Sequence, residues 1–206
     1  LWPALAPHGY CWMIPKSNGR ANVGLVTNQK NKAKTFLDEF VKEPDFNGKQ
    51  IVKTFGGLIP SSGPLQKTFD DGLMLVGDAA GFTSPMFEGG SHLGLKSGQL
   101  AANVAAKAIE KNDFSANVLK EYGTLWKNEF PPYEKLMKGK DDFYTFSEKE
   151  MNILARALPD NLTNINLLQK ALVGLKILVK DPRMIRKELF NAFYAFGYSQ
   201  ARFYGW

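Results

Sequence analysis

The segment from Gly72 to Gly98 carries the residues of this chain whose types and spacing best suit ligand binding. It reads GLMLVGDAAGFTSPMFEGGSHLGLKSG: an apolar run, a glycine beside Asp78, a proline-containing loop and a glycine pair that opens a helix. A helix N-terminus attracts anions because its first N–H groups have no partners within the helix. Glycines let a flat or phosphorylated ligand approach the backbone, and Asp78 can accept hydrogen bonds from sugar hydroxyls. An ordinary strand–turn–helix fits the same pattern, so the residues alone leave both interpretations open.

Four segments in the first part of the chain predict strands. Residues 10–14 and 21–27 are β-favouring runs separated by a turn signal, and together they predict a hairpin. Residues 51–59 (IVKTFGGLI) predict a further strand, interrupted by a glycine pair. The continuous apolar run 73–76 is typical of a strand buried on both faces, as in a parallel sheet.

The rest of the chain is predicted to be helical. Apolar periodicity and capping signals predict helices over 32–42, 91–111, 114–137 with a break at Pro131-Pro132, 147–158, 162–179 and 182–196. We therefore expect a boundary near residues 112–140, with mixed α/β structure before it and helices after it. The expected fold class is mixed α/β (α+β).

Composition excludes several classes of protein. The 206 residues are 44% hydrophobic and carry a net charge of +6. The lysines are scattered, which favours a mildly basic, solvated surface over a nucleic-acid site, with attraction to an anionic membrane as the main competitor. A single cysteine, Cys11, excludes a disulfide framework, and two histidines, His8 and His92, suggest no metal site. Residues 165–179 are apolar but interrupted by polar residues, so no bilayer-spanning segment is expected.

The segment GDAAG, followed by the proline loop, the glycine pair and a small-residue helix, resembles the second FAD-binding motif of flavoproteins of the p-hydroxybenzoate-hydroxylase type. Within that group the chain resembles the geranylgeranyl reductase family, close to archaeal digeranylgeranylglycerophospholipid reductases and FixC-like dehydrogenases. Residues 7–15 (PHGYCWMIP) are similar to that family's PxxYxWxFP motif, with Ile14 in place of Phe. Residues 21–25 and the GGLIP and GPL segments of 56–65 are similar as well. The resemblance covers about residues 5–110.

This resemblance implies the C-terminal part of an FAD-binding fold of that type, with an antiparallel substrate-side sheet and a helical C-terminal domain. The implied regions are a substrate-facing sheet over 1–70, the second FAD-binding motif with its helix over 71–112, and the helical domain over 113–206. It implies an FAD-dependent oxidoreductase that delivers a hydride from reduced FAD to isolated C=C bonds of geranylgeranyl (isoprenoid) lipid chains. The residues implied to bind FAD are Gly77, Asp78, Ala79, Pro85, Glu88, Gly89, Gly90 and Ser91. Those implied to line the isoprenoid site are Tyr10, Trp12, Ile14 and Pro15. No catalytic residue is assigned.

The implied partners are the isoprenoid lipid and an electron donor, NAD(P)H or a ferredoxin-like protein, without nucleic acid. The expected location is the cytoplasm, including peripheral contact at the inner face of the membrane. Glu88 departs from the run of three glycines that is usual in the family, which keeps a FixC-like electron-transfer dehydrogenase as an alternative. A noncatalytic lipid- or membrane-binding module is the alternative from another class.

The family begins with a dinucleotide-binding unit that carries GxGxxG, and no such motif occurs in these 206 residues. The first residue is Leu1 and not methionine. We therefore expect Leu1 to lie inside a longer protein, and we expect the chain alone to bind FAD weakly.

Overall fold

The structure, a computed structural model, describes residues 5–159 and 166–198. By its internal contacts the chain divides into two units, Leu1–Gly57 and Leu58–Trp206.

The first unit contains the predicted hairpin. Strands β1 (Tyr10–Pro15) and β2 (Ala21–Val26) pair antiparallel, with Trp12 opposite Gly24. In the connecting turn, Asn18 and Gly19 have φ values of 59° and 67°, a left-handed conformation that these two residue types adopt most easily. The hairpin prediction is therefore confirmed.

A short helix and an exposed segment complete the first unit. Helix α1 (Ala33–Phe40) forms within the predicted range, and Phe40 packs edge-on against Phe46 at 5.2 Å between ring centroids. The strand predicted over 51–59 is wrong: these residues form no ladder, and Val52 and Phe55 are 77% and 74% exposed. A β-favouring run becomes a strand only where a partner strand is available, and the described residues offer none to this segment.

The second unit begins with a very small sheet. Strands β3 (Phe69–Asp70) and β4 (Leu73–Met74) pair antiparallel around Gly72. The prediction of a parallel strand buried on both faces is wrong for the described residues, since Leu73 and Val76 are 48% and 38% exposed and both described sheets are antiparallel. A four-residue apolar run cannot reveal that a helix covers only one of its faces.

Six helices follow: α2 (Ser91–Lys111), α3 (Ala116–Glu129), α4 (Tyr133–Phe143), α5 (Glu148–Ala157), α6 (Leu167–Lys180) and α7 (Lys187–Gly197). Pro131-Pro132 separates α3 from α4, as predicted. Ser147 and Glu150 form the predicted capping box of α5, and Asn166 forms a second one with Gln169. Residues 162–165 of the helix predicted over 162–179 lie outside the described residues.

The helix predicted over 182–196 is instead two elements. Asp181 caps a short 3-10 turn, Pro182–Met184, by accepting a hydrogen bond from the Arg183 N–H. Arg186 then adopts an extended conformation, with φ −134° and ψ 167°, and α7 starts after it. The side-chain pattern predicted helix correctly, but it did not reveal this backbone break.

Two buried clusters hold the second unit together. The first joins the Ala80–Phe82 region to α2 and α3, with Tyr122, Trp126 and Phe130 at its centre. The second joins α5, α6 and α7 around Phe146, Ile177 and Met184. Both clusters consist largely of aromatic and aliphatic side chains, so the burial of apolar surface stabilises this unit. None of the described helices is long and apolar enough to cross a bilayer.

Candidate ligand-binding site

The GDAA segment forms a tight 3-10 turn, Gly77–Ala80, bounded by two left-handed glycines. Gly77 and Gly81 have φ values of 54° and 76°, and a Cβ on Gly81 would lie 2.5 Å from the carbonyl oxygen of Gly63. The Gly77 N–H donates to Ser97 Oγ at 3.0 Å, which ties the turn to α2. Both glycines are therefore required by the backbone, and the turn is held against the helix.

Asp78 lies at the surface of this turn with an oriented carboxylate. Its Oδ1 accepts a hydrogen bond from the buried Thr83 hydroxyl at 2.8 Å. A Cβ on Gly90 would lie 3.1 Å from the same oxygen, tighter than ordinary packing allows. Asp78, Thr83 and Gly90 therefore converge, and Asp78 remains exposed to accept further hydrogen bonds.

The N-terminus of α2 opens at the same place. Gly90 is its N-cap and supplies no side-chain hydrogen bond, and the first turn contains no acidic residue. Ser91 and His92 are exposed. The first N–H groups of this 21-residue helix and the exposed Asp78 carboxylate are therefore close together. This pairing suits a ligand that carries hydroxyls together with an anionic or carbonyl oxygen.

The loop between the turn and the helix is largely buried. Residues 81–86 are all buried, including the predicted site residue Pro85, and the Ser84 N–H closes the loop onto the Gly89 carbonyl at 2.9 Å. Met86 packs with Leu136 and Ala195, so α4 and α7 hold this loop from behind. Of the predicted loop residues, Glu88, Gly89 and Gly90 are half-buried.

Glu88 adopts an unusual conformation and has an unforeseen partner. Its φ is 52°, and its carboxylate is 5% exposed and bonded through Oε1 to Lys140 Nζ at 2.8 Å. The second oxygen, Oε2, is buried without a hydrogen-bond partner. Burial raises the pKa of Glu88, and the hydrogen bond and charge of Lys140 partly offset this rise.

The predicted isoprenoid-site residues lie in the first unit, on the hairpin. Tyr10 and Trp12 share one face of β1, with ring centroids 5.8 Å apart. The Trp12 indole lies over Gly24, where an added Cβ would be 2.7 Å from the ring atom Cε2. The indole N–H of Trp12 donates a hydrogen bond to Asn22 Oδ1 at 3.3 Å. Ile14 and Pro15, farther along the strand, are exposed.

Cys11 alternates with this aromatic pair and is half-buried, and burial raises the pKa of its thiol. A raised pKa favours the unreactive thiol form. No group of His, Cys, Asp or Glu within residues 5–159 and 166–198 is arranged to hold a metal ion.

Sequence reasoning missed two residues of this site, Thr83 and Lys140. Thr83 lies inside the segment that the motif singled out, but nothing in its spacing pointed to Asp78. Lys140 is 52 residues from Glu88 along the chain, and only the packing of α4 against the loop brings them together.

Comparison with known proteins places this geometry in a family. Residues 2–59 match the model of the geranylgeranyl reductase catalytic domain. The digeranylgeranylglycerophospholipid reductase of Methanocaldococcus jannaschii is 41% identical over 191 residues, which cover 88% of this chain and 47% of that protein. The chain belongs to the geranylgeranyl reductase family. The Methanococcus aeolicus member of the same name is 40% identical over 181 residues, which cover 84% of this chain and 45% of that protein.

A solved structure from the same family supports the assignment. The geranylgeranyl bacteriochlorophyll reductase-like protein from Thermoplasma acidophilum superimposes with a TM-score of 0.74 at 29% identity, covering 92% of this chain and 49% of that chain. The family resemblance stated from the motifs is therefore confirmed. The chain spans about half the length of the curated relatives it matches.

Proposed function

We propose that this chain contributes to an FAD-dependent reductase that saturates C=C bonds of geranylgeranyl lipid chains. The observation that carries the proposal is the convergence of Asp78, Thr83 and Gly90 at the uncapped start of α2. The names of the relatives supply the substrate class, since they are digeranylgeranylglycerophospholipid reductases.

The residues at this site fit the chemical groups of FAD. Its ribityl chain carries hydroxyls for the exposed Asp78 carboxylate, which Thr83 holds in one orientation. Its phosphates and the carbonyl edge of its ring system suit the N–H groups at the start of α2. Gly90 cannot gain a side chain without crowding Asp78, so the backbone stays accessible to a flat ring there.

Bound in its reduced form, FAD supplies a hydride to one carbon of the double bond, and a proton completes the other carbon. The two electrons come from a nicotinamide or a ferredoxin-like donor. The positive end of α2 would stabilise negative charge on the reduced ring system, a fixed electrostatic effect that requires no rearrangement during the reaction.

The hairpin supplies an apolar surface for the prenyl chain. Tyr10 and Trp12 present adjacent rings, and Trp12 is fixed by Asn22 and by its contact with Gly24. Two rings held in place bind an isoprenoid chain with little loss of side-chain entropy. Ile14, exposed on the same strand, extends this apolar surface.

The flavin content of purified protein tests the cofactor assignment. Wild-type full-length protein is compared with Asp78→Ala. The matched control is Asp141→Ala, which removes another exposed carboxylate from α4. Hydrogen bonds to a charged group contribute about 1.5–3 kcal/mol, so Asp78→Ala should weaken FAD binding on the order of 10- to 100-fold.

Two results would overturn the proposal. One is a full complement of flavin in Asp78→Ala. The other is a folded wild-type protein that is colourless and cannot be reconstituted with FAD, which would favour the noncatalytic lipid-binding module. A flavin that binds normally but passes its electrons only to a protein or quinone acceptor would favour the FixC-like alternative.

A further inference from the structure

Helix α6 has an apolar face turned away from the protein core. Val173 and Ile177 are its buried residues and define the inner side. At about 100° per residue, the opposite side of the helix is apolar over an arc of roughly 140°. Its members, which we call the α6 outer face, are Leu167, Leu168, Ala171, Leu172, Leu175, Leu178 and Val179.

This face is well exposed to solvent. Leu168, Leu175 and Val179 are 69%, 56% and 75% exposed, and Leu167 is 84% exposed. Among the described residues α6 packs mainly on α5 and the 3-10 turn Pro182–Met184, and its buried residues belong to a cluster that also includes Leu189 and Ala192 of α7. Scattered exposed leucines are ordinary on a protein surface, whereas a contiguous uncharged face marks an interaction site.

Basic residues border the α6 outer face on both sides. On the same helical projection, Lys170 lies on one flank and Lys176 and Lys180 lie on the other, between the outer face and the buried side. The groove between α6 and α5 continues the pattern. It is lined by Leu175 and Val179 together with four basic residues and one acidic residue: Lys149, Arg156, Lys176, Lys180 and Glu148.

The charges decide what can cover this face. A second copy of the chain, packed face to face, would bring two rows of lysines together, and like charges in contact oppose association. An anionic lipid surface meets both features at once, because leucines enter the boundary of the acyl chains while flanking lysines reach the phosphates. At 14 residues α6 is too short to cross a bilayer, but it can lie in the plane of the interface.

We propose that the α6 outer face docks the protein on an anionic phospholipid membrane. The docking surface is distinct from the candidate cofactor site at the start of α2, so it does not depend on the proposed reaction. It would keep the protein at the surface where long apolar lipids reside.

Vesicle co-sedimentation of the full-length protein tests the proposal. The wild type should bind vesicles of phosphatidylcholine with phosphatidylserine, bind pure phosphatidylcholine far less, and dissociate as salt is raised. Leu168→Gln/Leu175→Gln should weaken binding at least about tenfold, as expected from removing two leucines from an apolar contact. Glutamine preserves helix propensity, and the circular dichroism spectrum should not change.

Two further variants make the test specific. Ile109→Gln is the matched control, because Ile109 is an isolated, 66% exposed residue at the far end of α2 and its loss should leave binding unchanged. Replacing Lys170, Lys176 and Lys180 by glutamine should weaken binding to phosphatidylserine vesicles on the order of 100-fold, since each contributes about 1 kcal/mol near such a surface.

Three outcomes would overturn the proposal. The wild type could fail to bind anionic vesicles at low salt. Leu168→Gln/Leu175→Gln could bind as tightly as wild type, which would place the contact elsewhere. Sedimentation velocity could reveal a dimer that the same double variant dissociates, which would make a second copy the occupant. Flavin content is measured in parallel and should be equal in all variants, so failure here is distinguishable from failure of the cofactor assignment.

Discussion

Replacing Lys140 with methionine should destabilise the second unit strongly, and the loss should depend on pH. The Lys140 ammonium is the hydrogen-bond partner of a Glu88 carboxylate that is only 5% exposed, and Lys140 itself is 14% exposed. Methionine keeps most of the unbranched apolar stem and removes the ammonium group and its charge. Oε2 of Glu88 already lacks a hydrogen-bond partner. The variant also removes the partner of Oε1, so neither oxygen of this buried carboxylate is hydrogen-bonded.

The size of the loss follows from the options left to Glu88. Removing one partner of a buried ion pair costs about 3–5 kcal/mol. The folded variant can avoid part of this cost if Glu88 takes up a proton. For a carboxyl with an unfolded pKa of 4.5, holding that proton at pH 7 costs roughly 3.4 kcal/mol. We therefore expect Lys140→Met to lose about 3 kcal/mol at pH 7, a large part of the stability of a typical domain.

The pH dependence has a definite sign. Burial raises the pKa of Glu88 in the folded state, and losing Lys140 raises it further. An acid with a raised folded pKa costs nothing while it is protonated in both states, and it destabilises the fold as the pH rises from its unfolded pKa to its folded pKa. The difference between variant and wild type should therefore shrink to less than about 1 kcal/mol near pH 4.5, and grow between there and neutrality.

Urea denaturation followed by far-ultraviolet circular dichroism measures this difference, since helices α2–α7 all belong to the second unit. Lys138→Met is the matched control. Lys138 is on the same helix, is 58% exposed and lies 3.6 Å from Asp142, so its loss should change stability by less than about 0.5 kcal/mol. Glu88→Gln/Lys140→Met should recover most of the loss, because no charge remains buried. A loss below about 1 kcal/mol at pH 7, or one that is equal at both pH values, would refute this reasoning.

Three other changes probe separate parts of the molecule. Tyr122→Phe should lower the free energy of unfolding in urea by about 1–2 kcal/mol, because the buried phenol donates a hydrogen bond to the Leu75 carbonyl at 2.7 Å. Burial raises the pKa of Tyr122 to about 12, so this loss should be constant across neutral pH. Gly139→Ala should lower the melting temperature, since its Cβ would lie 2.7 Å from a carbonyl oxygen of α7, whereas Gly174→Ala, with no atom within 4 Å, should raise it. Trp12→Ala should reduce turnover of a geranylgeranyl lipid more than flavin content; reduced flavin with unchanged turnover per flavin would remove Trp12 from the substrate site.

The elements that sequence predicted best are those with local signals. The hairpin depends on Asn18-Gly19 between two β-favouring runs, and α5 depends on the Ser147–Glu150 capping box. In each case a few neighbouring residues determine the backbone, and distant contacts are not needed. The glycines beside Asp78 were identified from the sequence as allowing a ligand to approach the backbone, but the left-handed φ values of Gly77 and Gly81 were found only in the structure.

The features that sequence missed arise from distant packing. Residues 51–59 have strand-forming composition, but the described residues provide no partner strand. Lys140 meets Glu88 only because α4 packs behind the loop. The same apolar periodicity that predicted α6 could not indicate which of its two apolar sides would be buried, because both sides contain leucine, isoleucine or valine.

An anaerobic single-turnover experiment tests the central claim most directly. The full-length protein is reduced with a chemical reductant and mixed with a geranylgeranyl lipid. We predict that the visible flavin absorption returns and that mass spectrometry finds one added pair of hydrogens for each flavin reoxidised. A flavin that stays reduced while the lipid mass does not change would contradict the claim that this site reduces prenyl double bonds.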